Sequence, residues 1–141
     1  MSNLLVQNIK HTNNTTAVEI NSSAQMTIKG EGTATTNLQQ GLAKAWGQAT
    51  QDGGDTLRDS FNMSTMNDIG TGIIDYLLTN NMANDDFAGG GFGRRDSGGS
   101  DVFGRFSDLS TSTMRCHWVN GTDGTLEDSD VATLVIHGDL A

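Results

Sequence analysis

Hydrophobic and polar residues alternate in short runs along this chain, which is the pattern of half-buried β-strands. The clearest run covers residues 112–119, where Met114, Cys116 and Trp118 share one face and the residues between them share the other. Runs of this kind, separated by turns rich in Gly, Asn and Asp, predict an all-β, antiparallel β-sandwich of the jelly-roll type. The same alternation assigns to core faces Leu57, Phe61 and Met63, then Ile74, Tyr76 and Leu78, then Leu134 and Ile136.

The first 40 residues form a separate region. Residues 4–9 and 16–21 predict a β-hairpin with a turn at 11–14, and residues 24–29 add a strand with Met26 and Ile28 on one face. A ribbon of two or three strands is marginally stable in water, so this region requires a partner surface. That surface can be the downstream domain, two further copies of the segment, or another protein. We take residues 1–40 as an N-terminal attachment or trimerisation segment, followed by a β module over residues 41–141.

Glycine dominates residues 85–105, which include three successive glycines at 89–91 and a pair at 98–99. Such a stretch predicts an exposed, mobile loop, anchored to the core by some of its four phenylalanines. Arg94 and Arg95 lie in this predicted loop and are the candidate surface-contact residues, able to bind an acidic or sugar partner. The stretch lacks the Gly-Lys-Ser/Thr ending of a phosphate-binding loop.

Composition excludes several classes of function. The chain has 17 acidic and 8 basic residues, a formal net charge of −9, so it lacks the basic surface that binds phosphate backbones, and no nucleic-acid partner is expected. Hydrophobic residues make up 35% and aromatic residues 6%, which predicts a thin core. No apolar run approaches the roughly 18 residues of a membrane-spanning helix, so no membrane insertion is expected.

Candidate chemistry is sparse. Cys116 is the only cysteine, which rules out an intrachain disulfide. Cys116 and His117 point to opposite faces of one strand, so they cannot share a metal ion without a bulge, and an inward Cys116 is a poor nucleophile. His117 and His137 are predicted to face solvent, possible neighbours across two strands. The acidic loop 120–130 does not fit the EF-hand frame, although an irregular cation site stays open there. We expect no catalytic residue, metal or cofactor.

Four motifs follow one another between residues 41 and 87: Gly41-Leu-Ala-Lys-Ala-Trp46, Arg58-Asp-Ser-Phe-Asn-Met-Ser64, Asp68-Ile-Gly-Thr-Gly72 with Asp75-Tyr76, and Ala83-Asn-Asp-Asp-Phe87. In order and spacing they resemble a recurring module of bacteriophage tail-fibre and virion structural proteins. Residues 6–17 are similar to N-terminal segments of phage fibre proteins. The chain departs from the pattern at residues 47–49, which replace an apolar strand, at the inserted Ile73-Ile74, and at Phe87, where tyrosine is usual.

This resemblance implies a strand over residues 43–49, where propensity alone favours a helix, and a β-sandwich that assembles as a homotrimer on the virion. It implies a non-enzymatic short tail-fibre or appendage subunit that contacts itself and other virion proteins through residues 1–40. A host surface receptor or glycan is a further possible partner. Two alternatives stay open: a capsid decoration protein, and a carbohydrate-binding module. The latter would need exposed aromatics, of which Trp46, Tyr76 and Trp118 are the candidates.

Overall fold

The structure is a computed structural model, and it describes residues 7–10, 16–22, 24–29, 35–95 and 101–141. The chain divides into two compact units, Met1–Leu42 and Ala43–Ala141. This division falls two residues beyond the boundary expected from the sequence. Each unit has its own antiparallel sheet.

The N-terminal unit contains a four-stranded antiparallel sheet in the order β1-β2-β3-β4, so each strand pairs with the next one along the chain. The first three strands correspond to those predicted, and β4 is an additional strand. Residues 4–6 and 11–15 of the predicted hairpin lie outside the described residues. The elements are β1 (Asn8–Lys10), β2 (Thr16–Ile20), β3 (Met26–Lys29), β4 (Thr35–Asn37) and one helical turn, α1 (Leu38–Gly41).

The second unit is one eight-stranded antiparallel sheet in the order β6-β5-β12-β9-β10-β11-β8-β7, curled into a nearly closed barrel. We refer to it as the barrel. Its strands are β5 (Ala45–Thr50), β6 (Thr56–Phe61), β7 (Met63–Gly70), β8 (Ile73–Leu78), β9 (Ala88–Arg94), β10 (Asp101–Leu109), β11 (Thr113–Asn120) and β12 (Val131–His137).

The prediction of an all-β, antiparallel fold is confirmed. The strands of the second unit form one eight-stranded sheet, so the predicted sandwich of two packed sheets is not confirmed. Strands β6 and β7 are the outermost strands of the sheet, yet only Asn62 separates them in sequence. The strand implied by the resemblance over residues 43–49 is present as β5.

Asn62 holds the two edges together. Its backbone adopts a left-handed conformation with φ of 57°, which an asparagine tolerates better than most residues. Its side-chain amide donates to the carbonyl of Lys44 at 3.0 Å and to that of Asn80 at 3.1 Å. Its Oδ1 accepts from the backbone N–H of Asn80 at 2.7 Å. One side chain thereby ties the starts of β5 and β7 to the end of β8.

The barrel interior forms one apolar core, and most of it follows the alternation in the sequence. The predictions of inward-facing Ile74, Tyr76 and Leu78 on β8 are confirmed. The same prediction is confirmed for Met114, Cys116 and Trp118 on β11. It is also confirmed for Leu134 and Ile136 on β12. The remaining buried apolar side chains are Ala45, Ala49, Met63, Met66, Met82, Val102 and Ala132.

The prediction that Phe61 shares a core face with Leu57 and Met63 is wrong. Phe61 is 50% exposed, whereas Met63 is buried. The register between β5 and β6 shifts between Gln48 and Ala49, and the left-handed residue Asn62 interrupts the alternation before Met63. Phe61 therefore lies on the outer surface.

The prediction of a glycine-rich loop over residues 85–105 is also wrong. Residues Ala88–Arg94 and Asp101–Leu109 are strands β9 and β10, which pair antiparallel from Arg94↔Asp101 to Gly91↔Gly104. The part of the predicted loop between them, residues 96–100, lies outside the described residues. Phe87 and Phe106 pack against the core, as the prediction of some anchoring phenylalanines required.

The glycines of β9 and β10 make room for the indole of Trp118. A Cβ atom on Gly91 would lie 2.8 Å from Cη2 of Trp118, and one on Gly104 would lie 2.9 Å from Cζ3. Real Cβ atoms do not approach other atoms so closely, and a close-packed interior resists such shifts. Glycine here serves the packing of a buried tryptophan, and the strand pairing is retained.

We expect Gly91→Ala to lower the free energy of unfolding by roughly 1–3 kcal/mol, because the added methyl group overpacks the space beside Trp118. The matched control is Gly90→Ala on the same strand, since a Cβ atom there meets nothing within 4 Å. This control should be neutral or stabilising. Urea denaturation followed by circular dichroism measures both, and equal effects of the two substitutions would contradict the packing role.

Asn62→Gly should lower the free energy of unfolding by about 1–2 kcal/mol, because the left-handed backbone is retained while the side-chain hydrogen bonds are lost. Asn62→Ala should cost about 1–2 kcal/mol more, since alanine also opposes a positive φ. Urea denaturation measures both variants. The loss of stability in Asn62→Gly gives the contribution of the side chain, and the further loss in Asn62→Ala gives the contribution of the backbone conformation. Wild-type stability of both variants would show that Asn62 does not hold the barrel edges.

Candidate functional site

The barrel carries a patch of exposed rings on its outer surface. Cross-strand pairing aligns Phe61 on β6, Trp46 on β5 and Val135 on β12 in one row, which continues to Gly90 on β9. The neighbouring row contains Asp59 of β6, Gln48, Thr133, Phe92 and Phe103. The exposed fractions are 39% for Trp46, 50% for Phe61, 68% for Phe92 and 44% for Phe103. We call this surface, formed by Trp46, Phe61, Phe92, Phe103 and Val135, the aromatic face.

The rings on β9 and β10 are held in position. Phe92 and Phe103 make an edge-to-face contact with ring centroids 6.2 Å apart and planes at 75°. A Cβ atom on Gly121 would lie 2.5 Å from Phe103, so the ring rests on that glycine. The hydroxyl of Thr133 donates to the carbonyl of Phe92 at 2.7 Å. These contacts hold the rings of Phe92 and Phe103 in fixed positions on the barrel surface.

Charge is distributed unevenly around the barrel. The three adjacent strands β5, β12 and β9, which form the middle of the aromatic face, contain no aspartate or glutamate. On the other side, Arg115 of β11 makes a two-pronged ion pair with Asp75 of β8 at 2.7 and 2.8 Å, and Asp108 lies 3.4 Å away. These carboxylates raise the pKa of Arg115 above its ordinary value.

The N-terminal sheet has a second exposed apolar surface. Ile9, Val18 and Ile28 pair across β1, β2 and β3 in one row, and Ile20 pairs with Met26 in the next row on the same face. Ile9 is 58% exposed, and Ile20 and Ile28 are also exposed. We call this surface the N-terminal apolar face. Thr27 of β3 lies on the opposite face of the sheet, paired with Glu19 and Asn37.

Arg94 and Arg95 lie at the end of β9. Arg94 is the last residue of β9, and its carbonyl accepts from the N–H of Asp130 at 3.0 Å. The guanidinium of Arg95 is 3.2 Å from the carboxylate of Glu127. This ion pair links the end of β9 to the segment before β12. The contact role of both arginines stays a prediction.

Cys116 and the two described histidines do not come together. Cys116 is fully buried in the barrel, and burial raises the pKa of its thiol to about 12. His117 points to the other face, as predicted. Strands β9 and β10 separate β11 from β12, so His117 and His137 are not cross-strand neighbours, contrary to the expectation from the sequence.

The acidic loop before β12 uses its carboxylates within the protein. Asp128 accepts from the N–H of Gly72 at 2.7 Å, and Asp123 accepts from the N–H and hydroxyl of Thr125. These hydrogen bonds from Thr125 lower the pKa of Asp123. Among the residues that the structure describes, no three metal-ligating side chains of the His, Cys, Asp and Glu types cluster.

Comparisons with known proteins add no relative. No family model, curated protein or solved structure matches this chain. Within the described parts of the chain, no helix is long and apolar enough to cross a membrane. The two exposed apolar faces, one on each unit, are the features of the chain that indicate a function.

Of the three aromatic residues considered for a carbohydrate site, Tyr76 and Trp118 are fully buried and Trp46 alone is exposed. The exposure of Phe61, Phe92 and Phe103 on the outer surface was not predicted from the sequence. The available signal was the alternation in Gly89-Gly-Gly-Phe-Gly93, where glycine at every second position leaves Phe92 on the opposite face to the tightly packed Gly91.

We expect Cys116 to react with a thiol reagent such as Ellman's reagent at least about 100-fold more slowly in the folded protein than in the unfolded chain, because burial suppresses the thiolate. The measurement compares rates at pH 8 with and without guanidinium chloride. Rapid stoichiometric reaction of the folded protein would contradict the buried placement of the thiol and would reopen a nucleophilic role.

Proposed function

We propose that this chain is a non-enzymatic structural subunit of a bacteriophage virion, a short tail-fibre or appendage subunit that contributes to host attachment. In this proposal residues 1–40 attach the chain to other virion proteins and assemble it as a homotrimer. The barrel is the exposed module. The ordered motifs over residues 41–87, which resemble phage fibre and virion proteins, supply the virion assignment.

The N-terminal apolar face is the observation that carries the proposal. Ile9, Val18 and Ile28 form a continuous apolar row, and both Ile9 and Ile28 are exposed in the part of the chain that the structure describes. Burying apolar surface contributes about 25 cal/mol per Å², which is the gain available when a partner covers this face. Attachment through residues 1–40 supplies that partner.

Multiple copies provide the means of attachment to a host. Weak contacts repeated on linked copies add to strong overall binding without any single strong site. A net charge of −9 keeps a protein displayed in many copies soluble. Capsid decoration is the alternative location for the same assembly, and labelling of the chain on particles viewed by electron microscopy distinguishes head from tail.

Ile28→Lys should abolish incorporation of the chain into virions, because it places a charge in the middle of the N-terminal apolar face. Thr27→Lys is the matched control: it makes the same charge change on the opposite face of β3 and should be incorporated normally. The measurement is mass spectrometry of purified particles from infected cells that express each variant. Sedimentation of the purified variants reports whether trimer formation is lost at the same time.

Three results would contradict the proposal. The first is absence of the wild-type chain from purified particles. The second is normal incorporation of Ile28→Lys, which would mean that this face makes no attachment contact. The third is equal loss for Thr27→Lys and Ile28→Lys despite normal circular dichroism, which would mean that added positive charge, and not loss of the apolar face, prevents incorporation.

A further inference from the structure

The middle of the aromatic face, on strands β5, β12 and β9, is a part of the barrel where copies of this acidic chain can meet with little repulsion, whereas Asp59 of β6 lies at its edge, paired with Gln48. The chain carries 17 acidic residues, and strands β5, β12 and β9 contain none of them. Like charges brought together at an interface oppose association, so a −9 chain associates most readily where its surface is uncharged. The middle of the aromatic face meets that condition.

The size of the aromatic face fits the centre of a protein interface. Four rings with roughly half their surface exposed, each able to bury about 150–250 Å², offer roughly 400 Å² of apolar surface. One partner in a standard interface contributes about 800 Å², including a polar rim. Gln48, Thr133 and His137 lie beside the rings on β5 and β12 and supply polar positions for such a rim.

The face is also complementary to itself. Phe92 is the most exposed ring of the patch, and Gly90 lies two residues before it on the same face of β9. A Cβ atom on Gly90 would meet nothing within 4 Å, so the space above this glycine, next to Val135, is open, and we call this space the hollow. The projecting Phe92 and the hollow lie about 7 Å apart on one strand, which allows a two-fold contact in which Phe92 of each copy fills the hollow of the other.

We propose that the aromatic face is a contact between two copies of this chain, packed face to face with Phe92 of each copy in the hollow at Gly90 of the other. Such a contact is isologous, because the same patch serves both partners. It is separate from the N-terminal apolar face, so it can join chains whether or not the N-terminal sheets also assemble.

A second copy fits this face better than a saccharide does. Small-molecule sites are concave and enclose their ligand, whereas the four rings here lie along the outer surface of one sheet, and three of them are phenylalanines, which have no polar group. The hydroxyl of Thr133 already donates to the carbonyl of Phe92. Protein interfaces, in contrast, have aromatic centres with few charges.

Trp46 provides a direct readout of this contact in the full chain. Trp118 is fully buried, so acrylamide quenching of tryptophan fluorescence reports Trp46, and Trp46→Phe verifies the assignment. With increasing protein concentration, quenching should fall as the face becomes covered, and sedimentation equilibrium should show the mass rising. The measurements are made in the Ile28→Lys background, so that contacts through the N-terminal apolar face are removed.

Phe92→Thr and Gly90→Val test the projection and the hollow. Each should raise the dissociation constant of the contact at least about tenfold, as expected for residues at the centre of an interface. Threonine and valine both favour strands, so the barrel should stay folded. Gly90→Val should leave stability equal or higher while it weakens association. Ile69→Thr is the control, because Ile69 is 48% exposed on β7, outside the aromatic face.

Four results would overturn this inference. Quenching and mass that do not depend on concentration would mean that no such contact forms. Association that Phe92→Thr and Gly90→Val leave unchanged would place the contact elsewhere. Protection of Trp46 that is independent of concentration in the wild type and lost in Ile28→Lys would identify the chain's own N-terminal sheet as the cover. Protection by an added saccharide at constant mass would identify a sugar site. The incorporation test of the proposed function compares Ile28→Lys with Thr27→Lys, whereas this inference is decided by Phe92→Thr and Gly90→Val, so either proposal can fail alone.

Discussion

The barrel depends on the placement of one large side chain, the indole of Trp118, in a core with few other aromatic residues. Only Tyr76 joins it among the fully buried rings of the described residues. The two strands beside it accept the indole because Gly91 and Gly104 present no side chain inward. Close packing inside proteins makes this arrangement strict, since even one methyl group must displace its neighbours. Trp118 thereby fills the space that side chains at Gly91 and Gly104 would otherwise occupy.

This constraint also shapes the outer surface. On β9 the inward positions are glycines, so the bulky residue Phe92 points outward. Phe103 also points outward on β10, next to Gly104, which faces Trp118. Val102 and Phe106 of that strand, in contrast, face the core. Apolar surface that would ordinarily fill a core is therefore displayed on the outside, where burial requires another molecule. The aromatic face is in this sense a consequence of how the core is packed.

The sequence predicts those parts of the fold that depend on local alternation, and it fails where a distant residue decides. Strands β8, β11 and β12 alternate strictly, and their inward residues were predicted from that pattern alone. Strands β9 and β10 were predicted as a loop because their glycines are explained by residues that are distant in sequence, such as Trp118 for Gly91 and Gly104 and Ile136 for Gly89. Phe61 was misassigned for a similar reason, since a register shift and the left-handed Asn62 interrupt the alternation.

The two exposed faces differ in how far the sequence could predict them. The need of the N-terminal region for a partner surface follows from the short apolar alternation that includes Met26 and Ile28. The aromatic face was not predictable in the same way, because its rings come from four strands that pairing brings together. Arg94 and Arg95 were candidates on the basis of a predicted loop. The ion pair of Arg95 with Glu127 instead reinforces the end of a strand.

The connection at Asn62 has a consequence for unwanted polymerisation. An open sheet presents two edges whose unpaired backbone groups can recruit strands from other molecules. In the barrel the edge strand β6 ends just before Asn62, and the other edge strand, β7, begins just after it. The two edges therefore lie side by side at this residue. Access for an incoming strand is thereby restricted at the Asn62 corner. Edge-to-edge fusion of barrels into fibrils is therefore disfavoured at this corner.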